Sequence, residues 1–191
     1  GFGPAEKELA YCRRHGIVPL ASTDPEYPPL LREIDDYPTV IYLLGNRSAL
    51  SARCLSMVGT REATPYGQTI CNRLVEGLAE RVSDLCIVSG LAFGIDVAAH
   101  RAALAAGVPT TVAVLANALP EVTPAQHTAV AREIVARGGA LITEFHSQIR
   151  QNGTGYLTRN RLIAAGYESS GIGRLIETQS FDTFSLDYYR Q

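Results

Sequence analysis

The sequence has one lysine, Lys7, and no two cysteines at CxxC spacing. It has no excess of positive charge either: 17 Lys and Arg stand against 19 Asp and Glu, for a net charge of −2. That balance excludes a protein that coats nucleic acid through a general basic surface, so any nucleic-acid site has to be a local patch. With lysine almost absent, the fixed positive charge is arginine, whose planar fork grips a phosphate through two hydrogen bonds. A genome rich in G and C would enrich arginine equally well. Cys12, Cys54, Cys71 and Cys86 lack the spacing of a zinc site. Cys54 and Cys86 lie in or beside apolar runs and read as reduced, buried small hydrophobes, which favours the cytoplasm. No apolar run approaches the ~20 residues that span a bilayer, so no membrane association is expected. The opening GFGPAEKELA has neither the basic nor the apolar part of a signal peptide. It starts without Met, as expected of a fragment. His15, His100, His127 and His146 are scattered and no carboxylates cluster at metal spacing, so neither a metal nor a cofactor is expected.

What is present is a regular alternation. Apolar strand candidates fall at 54–58, 84–88, 110–115 and 140–143, with a weaker one at 174–177. Helical segments fall between them at 66–81, 96–106 and 124–137. Short apolar strands alternating with helices predict βαβ units and a mostly parallel sheet covered on both faces, the α/β class. Before this pattern, residues 5–15 predict a short helix with Leu9 and Cys12 on its apolar side and Gly16 as its stop. Pro19 to Pro29 is rich in turn formers, and Val40–Gly45 predicts a strand. Residues 1–45 are therefore taken as a small N-terminal helical region packed on the main domain, residues 46–191.

In such a sheet ligands bind beyond the C-terminal ends of the strands. Gly59-Thr60-Arg61 follows the first strand and precedes a helix. Glycine allows close approach of a phosphate, a helix N-terminus suits an anion, and Thr60 and Arg61 add a hydroxyl and a charge. Equally, the tripeptide is an ordinary turn with a solvated arginine. Ser89-Gly90-Leu91-Ala92-Phe93-Gly94-Ile95-Asp96 follows the second strand and can form a nest of N–H groups for phosphate. Its spacing matches neither GxGxxG nor the P-loop, and no acidic residue about twenty positions on stands ready for a ribose. Asp96 and His100 share a helix face. They read either as a cap and its neighbour or as a catalytic pair, for which Ser89 would be the one nucleophile. Thr158-Arg159-Asn160-Arg161, with Tyr156 just before it, offers forks for phosphates beside a ring for a base, as a sequence-tolerant single-strand site requires. It also reads as a charged helix start, in which Arg159 and Arg161 face different directions.

These segments, taken together, resemble the DNA-processing protein A (DprA, or Smf) family. Gly59-Thr60-Arg61 with Tyr66-Gly67 is similar to its VGTR…YG segment, and VSGLAFGIDVAAH at 88–100 to its SGxAxGID…AH signature. YLTRNRLIAAG at 156–166 is similar to FxxRNRxIAG, with Tyr156 for the usual Phe. Pro124, His127 and Gly139…Glu144 agree in order, whereas Ala118 and Thr123 replace the usual Gly and Tyr. After Gly166 only Leu175-Ile176-Glu177 and Ser185–Arg190 resemble the family, whose GGxxTA and closing segments are missing.

The resemblance implies a Rossmann-like, doubly wound domain that binds single-stranded DNA, forms homodimers, protects incoming DNA in natural transformation and loads the RecA recombinase, without enzymatic activity. The DNA contacts it implies are Gly59, Thr60, Arg61, Ser89, Gly90, Ala92, Gly94, Tyr156, Arg159, Asn160 and Arg161. Two other readings use the same fold. A nucleotide phosphoribohydrolase would carry PGGxGT and a glutamate, which are absent, leaving Asp96 and Glu144 as the strand-end carboxylates. A dinucleotide-dependent oxidoreductase would need the missing glycine fingerprint.

Overall fold

The computed structural model describes residues 2–149 and 155–165. Helix α1, Gly3–His15, ends at Gly16, whose left-handed conformation (φ 66°) suits a residue without a Cβ. Two strands follow, β1 (Val18–Ala21) and β2 (Val40–Gly45), separated by a 3-10 turn at Pro29–Glu33. A second 3-10 turn, Arg47–Ser51, leads into the regular alternation. This runs β3 (Arg53–Ser56), α2 (Pro65–Ala79), β4 (Leu85–Ser89), α3 (Ile95–Ala105), β5 (Thr110–Val114), α4 (Thr128–Ala136) and β6 (Ala140–Thr143). Helix α5 is Gly155–Ala164.

All six strands form one sheet in the order β1-β2-β6-β5-β4-β3. β3 to β6 are parallel, while β1 and β2 join antiparallel beside β6. Each crossover from β3 to β6 moves one place in the same direction, so crossovers of one hand put α2, α3 and α4 on the same face. The strand alternation agrees. Leu85, Ile87, Ala113, Leu115 and Leu141 pack with Val75, Ala99 and Ile134 from those helices. Their strand neighbours Cys86, Val88, Val112, Val114, Ala140 and Ile142 pack on the other face with Tyr27, Leu31 and with Leu162 and Ile163 of α5. Burial on both faces explains why the parallel strands are apolar without interruption. The α/β class and the Rossmann-like, mostly parallel sheet are as expected from the sequence.

The N-terminal region holds one strand more than the sequence reading expects. Residues 18–45 add two strands to the sheet, and β1 falls in the stretch that reads as turns because Pro19 sits inside it. β1 is an edge strand, where a missing N–H is tolerated. On α1, Cys12 is buried but Leu9 is largely exposed, so that helix touches the domain through a narrower stripe than expected. The helix expected over 124–137 divides into a 3-10 turn, Ala125–His127, and α4. All four cysteines are free; Cys86 is buried and Cys54 only partly so. The strand expected at 174–177 and the family-like segment at 185–190 lie outside the described residues.

Leu43 is fully buried and pairs with Val18 on one side and Ile142 on the other. Leu43→Ala should therefore lower the unfolding free energy by about 2–5 kcal/mol, read as a fall in the urea midpoint at unchanged m-value. A cost below about 1 kcal/mol would mean that β2 is not part of the cooperative core.

Candidate functional site

The C-terminal ends of β3, β4 and β5 and the N-termini of α2, α3 and α5 meet at one end of the sheet. At its centre is Asp96, on the first turn of α3 and only 5% exposed. The backbone N–H groups of Ala92, Gly59 and Gly90 favour the charged form of its carboxylate, and Arg159 lies beside it with Nη2 at 3.7 Å from Oδ2. Burial raises the Asp96 pKa above the ordinary carboxylate value, and Arg159 and the three N–H groups work against that rise. The nest expected to face a phosphate thus turns inward and holds a carboxylate from its own chain.

Arg159 reaches Asp96 through the domain. It is 2% exposed, and its Nη1 donates to the Val114 carbonyl at the end of β5 at 2.5 Å. Its guanidinium crosses directly over Gly90, where a Cβ would overlap it, so any larger residue there would have to displace the guanidinium. Its Nε has no hydrogen-bond partner among the described residues. Burial lowers the Arg159 pKa and Asp96 opposes the shift, but an arginine starts so high that the charge persists.

The loop after β3 is fixed against the start of α3. The Ile95 N–H donates to the Thr60 carbonyl at 3.1 Å. Gly94 (φ 80°) lies so close to Thr60 and the Arg61 backbone that no side chain fits there, and a Cβ on Gly59 would collide with Ile95. Thr60 Oγ1 accepts from the Glu62 N–H at 3.2 Å. Gly59, Thr60 and Arg61 remain exposed. Arg61 extends over the ring of Tyr156 at 4.5 Å, and Arg159 lies 5.8 Å from the same ring. The structure therefore joins the three motifs, through Ile95–Thr60, Asp96–Arg159 and Arg61–Tyr156 among other contacts.

Other expected site residues are placed differently. Ser89 is fully buried and its hydroxyl donates to the Met57 carbonyl at 2.5 Å. Ala92 is buried, and Asn160 is exposed on α5. Arg161 forms two bonds with Glu144, of 2.8 and 2.7 Å, and a third with Asp36 of 2.7 Å. Partial burial works against its charge, but the bonds to Glu144 and Asp36 outweigh this and raise its pKa. Its fork is occupied by carboxylates of its own chain.

Asp96 and His100 are not a catalytic pair. His100 is completely buried and its Nδ1 lies 2.8 Å from Thr111 Oγ1. That hydroxyl spends its one hydrogen on the Ile87 carbonyl at 2.6 Å, so it accepts from His100. Nε2 has no hydrogen-bond partner among the described residues. Burial pushes the His100 pKa down to about 3. Among the described residues no three His, Cys, Asp or Glu side chains gather to hold a metal ion, and no helix is long and apolar enough to cross a membrane.

Asp96, which reads from the sequence as a cap or one of a catalytic pair, is instead the nest's own anion. One residue not singled out by the sequence is Phe93, 46% exposed, whose ring meets the buried His127 edge-on at 4.9 Å. His127 in turn bonds the Leu91 carbonyl at 2.7 Å.

Comparison with known proteins extends this picture. Residues 19–171 match the family described as DNA recombination-mediator protein A. A DNA processing protein DprA of Mycobacterium tuberculosis is 39% identical over 175 residues, which cover 84% of this chain and 44% of that protein. This chain thus spans less than half the length of that relative. The X-ray structure of DNA processing protein A from Streptococcus pneumoniae superposes with a TM-score of 0.71 at 29% identity, over 83% of this chain and 55% of that one. A Helicobacter pylori DNA processing protein A, described for its single-stranded DNA binding mode, shares the fold with a TM-score of 0.67 at 24% identity, over 85% of this chain and 76% of that one.

The buried His100 makes stability depend on pH. Its folded pKa, about 3, lies below the unfolded value near 6.5, so its contribution is complete above pH 6.5 and is lost as pH falls toward 3. Between pH 7.5 and 5 this one group should cost about 2 kcal/mol of stability. His100→Gln removes the titration, so its melting temperature should fall less steeply across that range. Parallel curves for the two proteins would show that His100 is not held neutral.

Proposed function

The chain belongs to the DNA recombination-mediator protein A family, and from that premise and the site geometry we propose that it binds single-stranded DNA without sequence preference at the strand-end cluster. One observation carries the reading. Of the three motif arginines, Arg159 is buried against Asp96 and Arg161 is held by Glu144 and Asp36, while Arg61 is exposed with no carboxylate partner among the described residues. Its guanidinium rests on the Tyr156 ring. A free fork beside an aromatic ring suits a phosphate and its neighbouring base, features that every single strand offers and a duplex hides. Gly59, Thr60 and Gly94 form the backbone floor beneath Arg61. Ser89, Gly90, Ala92 and Arg159 serve the site from within, by shaping the loop that carries it. Asn160 lies on the exposed side of α5 and is available to the strand.

The wider role follows the family: protection of incoming DNA in natural transformation, loading of the RecA recombinase, assembly as a homodimer, and a cytoplasmic location. We read no catalytic step. Ser89 is committed to a carbonyl and His100 to Thr111. The two carboxylates that a phosphoribohydrolase would use, Asp96 and Glu144, are bound by the chain's own N–H groups and arginines.

Arg61→Ala should weaken oligo(dT) binding by roughly ten- to a hundred-fold, the loss of one charge-assisted contact of about 1.5–3 kcal/mol. The slope of log affinity against log salt should flatten by about 0.7, and Arg61→Lys should recover only part of the affinity. Anisotropy titrations at two salt concentrations, with melts to confirm folding, test this. Unchanged affinity and slope in a folded Arg61→Ala protein would overturn the assignment.

A further inference from the structure

Phe93 occupies the second variable position of the SGxAxGID segment, and nothing in the packing of the core requires an aromatic ring there: the side chain is 46% exposed. A single exposed ring is unremarkable on most surfaces. This one is held on both sides. Before it, Leu91 adopts a left-handed backbone conformation (φ 57°), rare for a residue with a Cβ. Leu91 stays there because its side chain is fully buried and its carbonyl is bonded by His127. After it, Gly94 (φ 80°) abuts the backbone of Thr60 and Arg61 so closely that only glycine fits. The ring itself meets the edge of His127, which is 4% exposed and so a fixed wall. The outcome is a half-exposed aromatic with little freedom left to lose on binding, a property that favours stacking affinity.

Its position gives the ring a use. Gly94, the next residue, touches the backbone of Arg61, and the guanidinium of Arg61 lies over Tyr156. Phe93 and Tyr156 are thus each one step from Arg61, Phe93 through Gly94 against the Arg61 backbone and Tyr156 through its ring beneath the guanidinium. A single strand presents base, phosphate, base. We propose that Phe93 is a second stacking platform for a nucleobase, beside the Arg61 loop that Tyr156 also adjoins. The strand then crosses the face of the domain from the start of α5 to the start of α3. This inference rests on the single-strand reading above.

The chain contains no tryptophan, so Phe93→Trp places a single reporter at the ring. Binding is measured by anisotropy with oligo(dT) and with an abasic oligomer of equal length and charge. Phe93→Ala should bind oligo(dT) roughly five- to a hundred-fold more weakly, because one stacking contact is gone. Its salt slope should equal that of the parent, since no phosphate contact is lost. Its affinity for the abasic oligomer should also be unchanged. The Phe93→Trp protein should bind like the parent, and its emission should be quenched by oligo(dT) and not by the abasic oligomer. If the parent binds oligo(dT) and folded Phe93→Ala binds it equally well, as for a ring that meets a protein instead, the inference falls and the single-strand reading stands. Unquenched emission at saturating oligo(dT) overturns it likewise. If the parent itself does not bind, the single-strand reading falls and this inference with it.

Discussion

The carboxylate of Asp96 is the point on which this end of the molecule depends. It draws the N–H groups of Gly59, Gly90 and Ala92 toward one place, and so ties the loop after β3 to the loop after β4. It also receives Arg159 from α5, and Arg159 in turn reaches the end of β5. A buried ion pair of this kind adds little net stability, since desolvation offsets most of the attraction, but breaking it by removing one partner is costly. Its consequence is positional. With Arg159 anchored, α5 cannot slide over the sheet, and Tyr156, one turn earlier on that helix, stays beneath Arg61.

This arrangement resolves the charge question raised by the sequence. A net charge of −2 leaves no general attraction for a polyanion. Arg159 is neutralised inside the fold, and Arg161 binds Glu144 of the β6 end to Asp36 of the N-terminal region. These pairs use motif arginines to join distant parts of the chain. Of the three motif arginines, only Arg61 is exposed with no carboxylate partner among the described residues. On the proposed single-strand reading, such a site would make a small number of phosphate contacts and show a shallow salt dependence.

Much of this was legible beforehand. The apolar runs at 54–58, 84–88, 110–115 and 140–143 locate β3 to β6 because parallel strands buried on both faces cannot hide their pattern. The motifs locate the strand-end loops for the same reason. β1 escaped because Val18–Ala21 contains Pro19, a signal that reads as a turn until the strand is known to lie at an edge. The division of arginines into paired and free was also out of reach. Asp36 and Arg161 are far apart in sequence, and only the sheet order brings Asp36 beside the end of β6 and the start of α5. Spacing indicates that the Ser89–Asp96 loop can form a nest, but it does not say whether the anion comes from outside or from Asp96. The role of Gly90 shows the same limit: it reads as room for a phosphate, whereas the room is taken by the guanidinium of Arg159.

The central claim, that Asp96 is the internal anion organising these loops, is tested most directly by amide hydrogen exchange in Asp96→Ala. The account predicts that the amides of Gly59, Gly90 and Ala92 lose protection together, while those of β6 and α4 keep theirs. Protection at the three amides equal to that of the parent, or a loss spread evenly over the whole domain, would contradict it.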